Sequence, residues 1–433
     1  MKRLDRSVKN APRPGRVRPG PPAAPAEVDL AVGEIGARGD ATAEGPDGPI
    51  YLAYALPGEK VRARVAGERG DVLAVLTPSA ERVAPPCTHF GRCGGCQLQH
   101  WDEAPYLAWK HEQIVRALAR RGIGGAVEPV VKAWGAGRRR ATLHAARGGR
   151  FGFIARGGAQ IVAVRECPVL APALLAALPG LKRLGAAFAP ARGELNIQVL
   201  ASEAGIDVNV KGAGKVSAFD AAKIGEASML VEAEDFARLS FDGEAFITRR
   251  APELAMGRAR VTPPPGAFLQ PTTQGEEALA RLTLEALSGA ERVADLFSGI
   301  GTFALRIAEQ AETFAVEGDE AMLSALKQAA DRAGVLKGVS VLRRDLLRNP
   351  LSALEMKRFD GVAFDPPRSG ARLQAEQIAK SKARKVAAVS CDPATFARDA
   401  KVLLDAGFDL VKVTPVDQFH WSPHVEIVGA FER

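Results

Sequence analysis

Apolar and polar residues alternate in short runs over residues 26–80, and Gly, Asp and Pro interrupt the runs. The runs include EVDLAVGEIG, PIYLAYALPGEKVRARVAG and GDVLAVLTPS, and none keeps a helical period for long. About five short strands in such a span predict a small β-barrel of the OB type, a scaffold that often binds oligonucleotides.

The pattern changes twice beyond this segment. Residues 103–123 have a helical pattern, and residues from about 126 to 250 mix helices with strands such as ELNIQVLA, GIDVNVKG and GEAFITR. From about residue 260 apolar strands alternate with helices, which is typical of a parallel doubly wound sheet. We therefore predict an α/β protein with a tail (1–25), a barrel (26–80), a central α+β domain (81–255) and a doubly wound domain (256–433).

Composition agrees with a soluble, cytoplasmic globular protein. Of the 433 residues, 47% are apolar and 25% are charged, and no apolar run is long enough to span a membrane. The net charge is +8, but residues 1–25 hold seven Lys or Arg and one Asp, so +6 of it lies in the tail. This Pro- and Gly-rich tail has no apolar core, so we expect a disordered segment, not a secretory signal. Either it adds salt-sensitive affinity for RNA or DNA, or it only keeps the protein in solution.

A second basic stretch, GRRRATLHAARGGRFGFIARGG, spans residues 137–158. It is either a surface that binds nucleic acid or an exposed hairpin with solvated arginines. Phe151, Phe153 and Phe268 are candidates for stacking on exposed bases.

The segment RVADLFSGIGTFALRIAE (292–309) predicts a strand, a Gly-rich turn and a helix. Gly299 and Gly301 permit a tight turn and a close approach of the backbone to a ligand. The third glycine of a dinucleotide fingerprint and the G-K-[ST] of a phosphate loop are both absent. Glu317 ends the next strand, where a carboxylate suits the two hydroxyls of a ribose. Together these features indicate S-adenosylmethionine (SAM).

Later strands bring further polar residues to the same edge of the sheet. Asp345 follows VLRR, Asp365 follows FDGVAF, and Cys391 follows KVAAVS. Because ligands bind at the carboxyl ends of strands in such sheets, these side chains should converge on one crevice. A cysteine at the end of a buried strand is positioned to react.

Two methyl acceptors suit this crevice. An amino group could be held by the D-P-P-R segment, but that reaction leaves Cys391 without a role. Carbon 5 of uracil becomes nucleophilic only after a thiolate adds to C6, and the reaction then needs a base to remove the C5 proton. His420, His424 and Glu426 near the C-terminus are candidates for that base.

The other four cysteines fit a metal site. Cys87, Cys93 and Cys96 have C-x5-C-x2-C spacing, and Cys167 is the remaining one. Four thiolates can bind zinc or an iron–sulfur cluster, and spacing alone does not distinguish them. A disulfide framework is disfavoured in a chain without a secretion signal.

From about residue 27 onward the sequence resembles the SAM-dependent RNA uracil-5-methyltransferases. The motifs that carry the resemblance are CTHFGRCGGCQLQH, GAFLQPTTQGEEAL, DLFSGIGTF, FDPPRSG, SCDPATFARD and HVEIV. The resemblance implies a class I SAM methyltransferase domain with a Rossmann-like sheet, an N-terminal TRAM barrel that holds RNA, and a central iron–sulfur domain. It also favours a 4Fe–4S cluster over zinc at the four cysteines.

Carried over by motif, Cys391 is the nucleophile, Glu426 takes the C5 proton, and Gln270 contacts SAM. The other implied cofactor contacts are Phe297, Thr302, Glu317, Asp345 and Asp365. Thr272 and Ser298 depart from the residues usual in the family, and such changes near the substrate put the target nucleotide in doubt. Large-subunit rRNA is the favoured partner, tRNA the second, and the protein is expected to be a monomer. A non-catalytic RNA-binding or cluster-sensing protein is the alternative of another class.

Overall fold

A computed structural model describes residues 25–45, 47–158 and 160–433, and it divides the chain into two compact units at Ala80/Glu81. The predicted tail therefore lies outside the described residues, apart from Pro25. In the described part of the chain, no helix has both the length and the apolar character that crossing a membrane requires.

The first unit is a closed five-stranded barrel, as the alternating pattern predicts. Its strands pair in the order β1-β2-β3-β5-β4. Every second side chain points inward, so that Leu52, Val61 and Ala63 are fully buried. The bounds are β1 Ala26–Ile35, β2 Ala41–Gly45, β3 Gly48–Leu52, β4 Lys60–Ala66 and β5 Arg69–Thr77.

The second unit begins with the cysteine-bearing loop, followed by α1 (Glu103–Ala119) and β6 (Val131–Lys132). A seven-stranded sheet comes next, in the order β13-β12-β11-β10-β7-β8-β9, and two helices pack on it. Its elements are β7 Arg140–Ala146, β8 Arg150–Ile154, β9 Ile161–Val162, α2 Pro172–Phe188, β10 Glu194–Ser202, β11 Gly205–Lys211, α3 Ala221–Ala233, β12 Arg238–Phe241 and β13 Glu244–Thr248.

The C-terminal part forms the doubly wound sheet that the pattern predicts, with strand order β18-β17-β16-β19-β20-β22-β21-β6. The strands from β18 to β20 are parallel, whereas β22 is antiparallel to both of its neighbours. The elements are the hairpin β14 Leu254–Met256 and β15 Ala259–Val261, then α4 Thr273–Ala286, β16 Arg292–Leu296, α5 Ala304–Ile307, β17 Glu312–Glu317, α6 Glu320–Ala333, β18 Val339–Arg343, β19 Gly361–Phe364, α7 Arg372–Lys380, β20 Lys385–Ser390, α8 Pro393–Asp405, β21 Asp409–Asp417 and β22 Glu426–Glu432.

Helix α8 crosses this sheet where Gly429 leaves room for it. A Cβ atom at Gly429 would lie 2.6 Å from Cζ of Phe396, which is too close for any side chain. The glycine thus lets the helix that follows Cys391 pack directly on β22.

Two elements of the predicted central domain (81–255) belong to the C-terminal sheet. Helix α1 buries Ile114 and Leu118 in the core of the doubly wound sheet, and β6 extends that sheet by pairing with β21. The helical pattern of α1 was predictable, but its period identifies only an apolar face and not the sheet that the face covers.

Candidate active site

A cavity of about 610 Å³ lies at the carboxyl ends of the parallel strands. The eight residues that the sequence nominated for catalysis and cofactor binding all line it: Gln270, Phe297, Thr302, Glu317, Asp345, Asp365, Cys391 and Glu426. Chain positions as far apart as 270 and 426 therefore meet in one crevice of the second unit.

The Gly-rich turn after β16 is held in shape by Glu317. One carboxylate oxygen of Glu317 accepts a hydrogen bond from the backbone N–H of Gly299 (2.9 Å), and the other accepts from Gly318 (2.7 Å) and Asp319 (2.9 Å). Phe297 has a φ of 63°, in the left-handed region that non-glycine residues rarely adopt. Glu317 therefore fixes the turn, and its one remaining lone pair can still accept a hydrogen bond.

Cys391 and Glu426 lie close together because of strand register. The antiparallel ladder of strands β20 and β22 ends with Ser390 opposite Ile427, and Cys391 and Glu426 are the residues just beyond this last pair. The two side chains lie close enough that the charge of Glu426 raises the pKa of Cys391. The ladder itself thus brings the thiol and the carboxyl together.

Two buried carboxyls, Asp365 and Glu426, lie in this cavity. Burial raises the pKa of Asp365 to about 7. Burial first, and then the charge of Asp365, raise the pKa of Glu426 to about 8. Near neutral pH the pair consequently retains protons that exposed carboxyls would release.

A glutamine that sequence reasoning missed joins these carboxyls. The amide of Gln418 donates to Oε1 of Gln270 (2.6 Å) and to Oε1 of Glu426 (3.2 Å), while Gln270 donates to Asp365 over 3.5 Å. A Cβ atom on Gly275 would lie 2.3 Å from the Gln418 side chain, so this glycine in α4 leaves space for the amide. No motif signals Gln418, because its role depends on its position between two distant segments.

The thiol of Cys391 is half-buried at the start of α8. Burial, followed by the charges of Glu426 and Asp365, raises its pKa to about 12, and the charge of Arg368 opposes that rise. The position before a helix N-terminus would by itself favour a thiolate. Here burial and the carboxyls outweigh it, so the free protein holds a thiol at neutral pH.

A hydrogen bond to His424 holds the guanidinium group of Arg368 in place. Nη2 of Arg368 donates to Nε2 of His424 at 2.9 Å. Burial and then the positive charge of Arg368 lower the pKa of His424 to about 4, so the imidazole is neutral and can accept this bond. His424, a candidate base in the sequence, therefore already has Nε2 engaged.

Four cysteines line a second cavity. Cys87, Cys93, Cys96 and Cys167 line a cavity of about 220 Å³ next to the β7–β8 hairpin. Burial raises the pKa of Cys96 to about 12. Within the described ranges, no three His, Cys, Asp or Glu side chains are arranged closely enough to hold a single metal ion.

The three phenylalanines that the sequence suggested for base stacking differ in how far their side chains are exposed. Phe151 is only 5% exposed and packs in the core of the seven-stranded sheet, so its prediction as a base-stacking residue is wrong. Phe153 lines the cysteine cavity. Phe268 is 59% exposed and lines the active-site cavity, with the Arg140 guanidinium 4.5 Å from its ring centre.

Comparison with known proteins identifies the family. No family model matches the chain. An uncharacterized RNA methyltransferase of Caulobacter vibrioides is 45% identical over 413 residues, which cover 94% of this chain and all of that protein. RlmD of Vibrio vulnificus, a 23S rRNA uracil-C5 methyltransferase, is 30% identical over 406 residues, covering 89% and 91% of the two chains. This chain belongs to the RNA uracil-C5 methyltransferase family.

A solved structure has the same fold. The Pyrococcus abyssi tRNA (uracil-54, C5)-methyltransferase, in complex with S-adenosyl-L-homocysteine, superposes with a TM-score of 0.72 at 22% identity. The match covers 93% of this chain and 99% of that one. The class I methyltransferase architecture expected from the sequence is thereby confirmed.

The burial of Glu426 predicts a pH-dependent effect on stability. Its pKa of about 8 in the folded state exceeds the ordinary value of about 4.3 in the unfolded chain. The folded protein therefore holds a proton that the unfolded chain releases, and stability falls as pH rises between these values. Glu426→Gln should raise Tm by on the order of a few degrees near pH 8 and by little near pH 5.

Scanning calorimetry at the two pH values measures this difference. Glu432→Gln is the matched control, because Glu432 lies on the same strand but is exposed. If the two variants change Tm equally at both pH values, the pKa of Glu426 is not raised in the folded protein.

Proposed function

We propose that this protein methylates carbon 5 of a uracil in RNA, with SAM as the methyl donor, through covalent catalysis by Cys391. The observation that carries the proposal is that the antiparallel ladder ends beside Cys391 and Glu426, which line one cavity together with the Gly-rich turn. An amino methyltransferase would have no use for this pair, and neither would a protein that only binds RNA.

The cavity offers two regions with different chemistry. Phe297, Thr302, Glu317 and Asp345 surround the Gly-rich turn and would hold the nucleoside of SAM. Glu317 can accept from a ribose hydroxyl with the lone pair that the backbone leaves free. Gln270 is hydrogen-bonded to Asp365 and linked through Gln418 to Glu426, so Gln270 and Asp365 would orient the donor and the target base. SAM supplies an electrophilic methyl group there.

The proposed reaction begins at the thiol. Cys391 gives its proton to water, and Sγ forms a bond to C6 of the uracil as the electron pair of the C5–C6 double bond shifts toward the C4 carbonyl, which turns C5 into an enolate carbon. C5 then forms a bond to the methyl carbon as the methyl–sulfonium bond breaks. Ionised Glu426 removes the C5 proton, the C5–C6 double bond forms again, and the C6–S bond breaks to release the thiolate.

Arg368, held by His424, counteracts the high pKa of the Cys391 thiol. Arg368 is the cation that lowers the pKa of Cys391, and it acts on Glu426 in the same direction. The bond from Arg368 to neutral His424 fixes where this charge lies. We propose His424 as a positioning residue for Arg368 and not as the base.

Large-subunit rRNA is the first proposed substrate and tRNA the second. The identity of 30% to RlmD over most of both chains supports the first choice. The likeness to the tRNA enzyme supports only the fold. The N-terminal barrel is the proposed TRAM unit that holds RNA, and we propose that the protein acts as a cytoplasmic monomer.

We also propose that Cys87, Cys93, Cys96 and Cys167 bind a 4Fe–4S cluster. Tetrahedral zinc draws its sulfurs to about 2.3 Å from one point, whereas these thiols surround a cavity of about 220 Å³. That arrangement suits a cluster with one cysteine on each iron. When bound, the cluster would join the cysteine loop to Cys167 and stabilise this part of the chain.

The first prediction concerns the nucleophile. Cys391→Ala should yield no 5-methyluridine in 23S rRNA or tRNA incubated with SAM, because no other group in the cavity can add to C6. Affinity for SAM should persist, since the thiol acts on the base. Mass spectrometry of digested RNA and calorimetric titration with SAM measure the two properties.

Ser390→Ala, at the neighbouring position, is the control and should retain activity. Near-normal 5-methyluridine formation by Cys391→Ala would exclude covalent catalysis by this residue. Methylation of an exocyclic amine in its place would favour the amino-methyltransferase alternative.

The second prediction concerns the cluster. Protein purified without oxygen should contain roughly four irons per chain and absorb broadly in the visible range. Cys93→Ser should lose much of the iron and lower Tm, because it removes one ligand. Cys391→Ser is the matched control, since Cys391 lies outside the cysteine cavity, and it should keep the iron. One zinc per chain and no iron in the wild type would exclude the cluster.

A further inference from the structure

A second polar cavity, of about 280 Å³, adjoins the active-site cavity. It lies between strands β7 and β10 of the seven-stranded sheet and the loop that runs from Pro263 to Pro271. The two cavities share Arg140, Phe268 and Phe419 in their walls. We call the second cavity the neighbour pocket.

Two arginines of the neighbour pocket lack acidic partners. Arg138 and Arg140 line it, and neither forms an ion pair with a carboxylate among the residues described here, whereas Arg139 between them is paired with buried Glu276. Nε of Arg138 is buried without a hydrogen-bond partner in the same set of residues. Burial, followed by repulsion from the two adjacent arginines, lowers the pKa of Arg140 to about 10. Half-buried cations without partners are suited to an anion such as a phosphate.

Both guanidinium groups lie against aromatic rings. Arg140 is 4.5 Å from the ring centre of Phe268, and Arg138 is 5.7 Å from that of Phe419. Phe268 also exposes 59% of its surface. Planar cations beside exposed aromatic rings are the surfaces on which unpaired nucleic acid bases stack.

The sheet wall that carries Arg140 also presents an oriented amide. Asn209 donates to Oε1 of Gln198 (2.8 Å) and accepts from the backbone of Gly243 (3.0 Å), which fixes the Gln198 carboxamide. The NH₂ group of Gln198 has no partner in the described part of the chain and is free to donate into the pocket. Gly266 passes so close that a Cβ atom there would lie 2.4 Å from Oε1 of Gln198. A fixed amide at this place can recognise the edge of a base.

We propose that the neighbour pocket binds the nucleotide adjacent to the methylated uridine in the same RNA strand. This inference rests on the proposed function, and it assigns a sequence-reading role to Gln198. A uracil that enters the active-site cavity must leave its stack, which exposes one face of the base beside it. The shared wall at Phe268 places the pocket where that neighbouring base emerges, with Arg138 and Arg140 available to the phosphate.

The test compares RNA fragments that span the methylated uridine, identified by mapping 5-methyluridine. One fragment is intact, and two carry an abasic ribose immediately 5′ or 3′ of the target. For wild-type protein, one abasic substitution should lower kcat/KM on the order of tenfold, because the base edge that the amide of Gln198 recognises is lost. Gln198→Leu should methylate the intact fragment more slowly and lose most of this tenfold difference.

Asn196→Leu is the control, because Asn196 is an exposed amide two residues earlier on β10 and does not line the pocket. It should behave like wild type, and equal Tm values for all variants exclude misfolding. Two results would contradict the role of the neighbour pocket and leave the proposed function intact. In the first, wild-type protein makes 5-methyluridine and neither abasic site lowers kcat/KM. In the second, Gln198→Leu retains the full difference in kcat/KM between intact and abasic RNA. If no RNA acquires 5-methyluridine, the proposed function is contradicted, and so is the nucleotide-binding role of the neighbour pocket that rests on it.

Discussion

The candidate site depends on one antiparallel strand inserted into an otherwise parallel edge of the sheet. Parallel strands alone would bring Cys391, Asp365 and Glu317 to a common rim, because all of them follow the carboxyl ends of strands. Strand β22 runs the other way, so its first residue, Glu426, reaches the same rim. A slip of one residue in this ladder would turn Glu426 to the opposite face of the sheet.

The loop that leads into β22 is held by buried polar contacts from α1. Lys110 and Asp417 form an ion pair in which both side chains are fully buried, and Lys110 also donates to the backbone carbonyl of His424 (2.7 Å). Tyr106 donates to Asp417 (2.8 Å). Removing one member of such a pair leaves an uncompensated buried charge and costs about 3–5 kcal/mol. Helix α1 therefore supports the site without lining it. The same loop also contacts the cysteine segment, because the N–H groups of Gln97 and Leu98 donate to the backbone carbonyl of Trp421.

The sequence predicts the parts of this molecule that depend on local chemistry. The barrel follows from alternation, the Gly-rich turn from Gly299 and Gly301, and the convergence at the rim from strand ends. It does not predict Gln418 or Gln198, because an amide acquires its role only from partners distant in the chain. The same limit explains Phe151, since its position in an Arg- and Gly-rich hairpin suggests exposure while its strand turns it into the core. Likewise, nothing in the period of α1 identifies the sheet that it covers.

The central claim is that Cys391 adds to the base while Glu426 completes the reaction, and trapping the intermediate tests it most directly. Glu426→Gln keeps the size of the side chain and can still accept from Gln418, but it cannot take the C5 proton. With SAM carrying a labelled methyl group and unmodified RNA, a denaturing gel should show a labelled covalent protein–RNA adduct, which Cys391→Ala and the double variant should not form. Normal turnover by Glu426→Gln, or bound RNA without any adduct, would contradict the account.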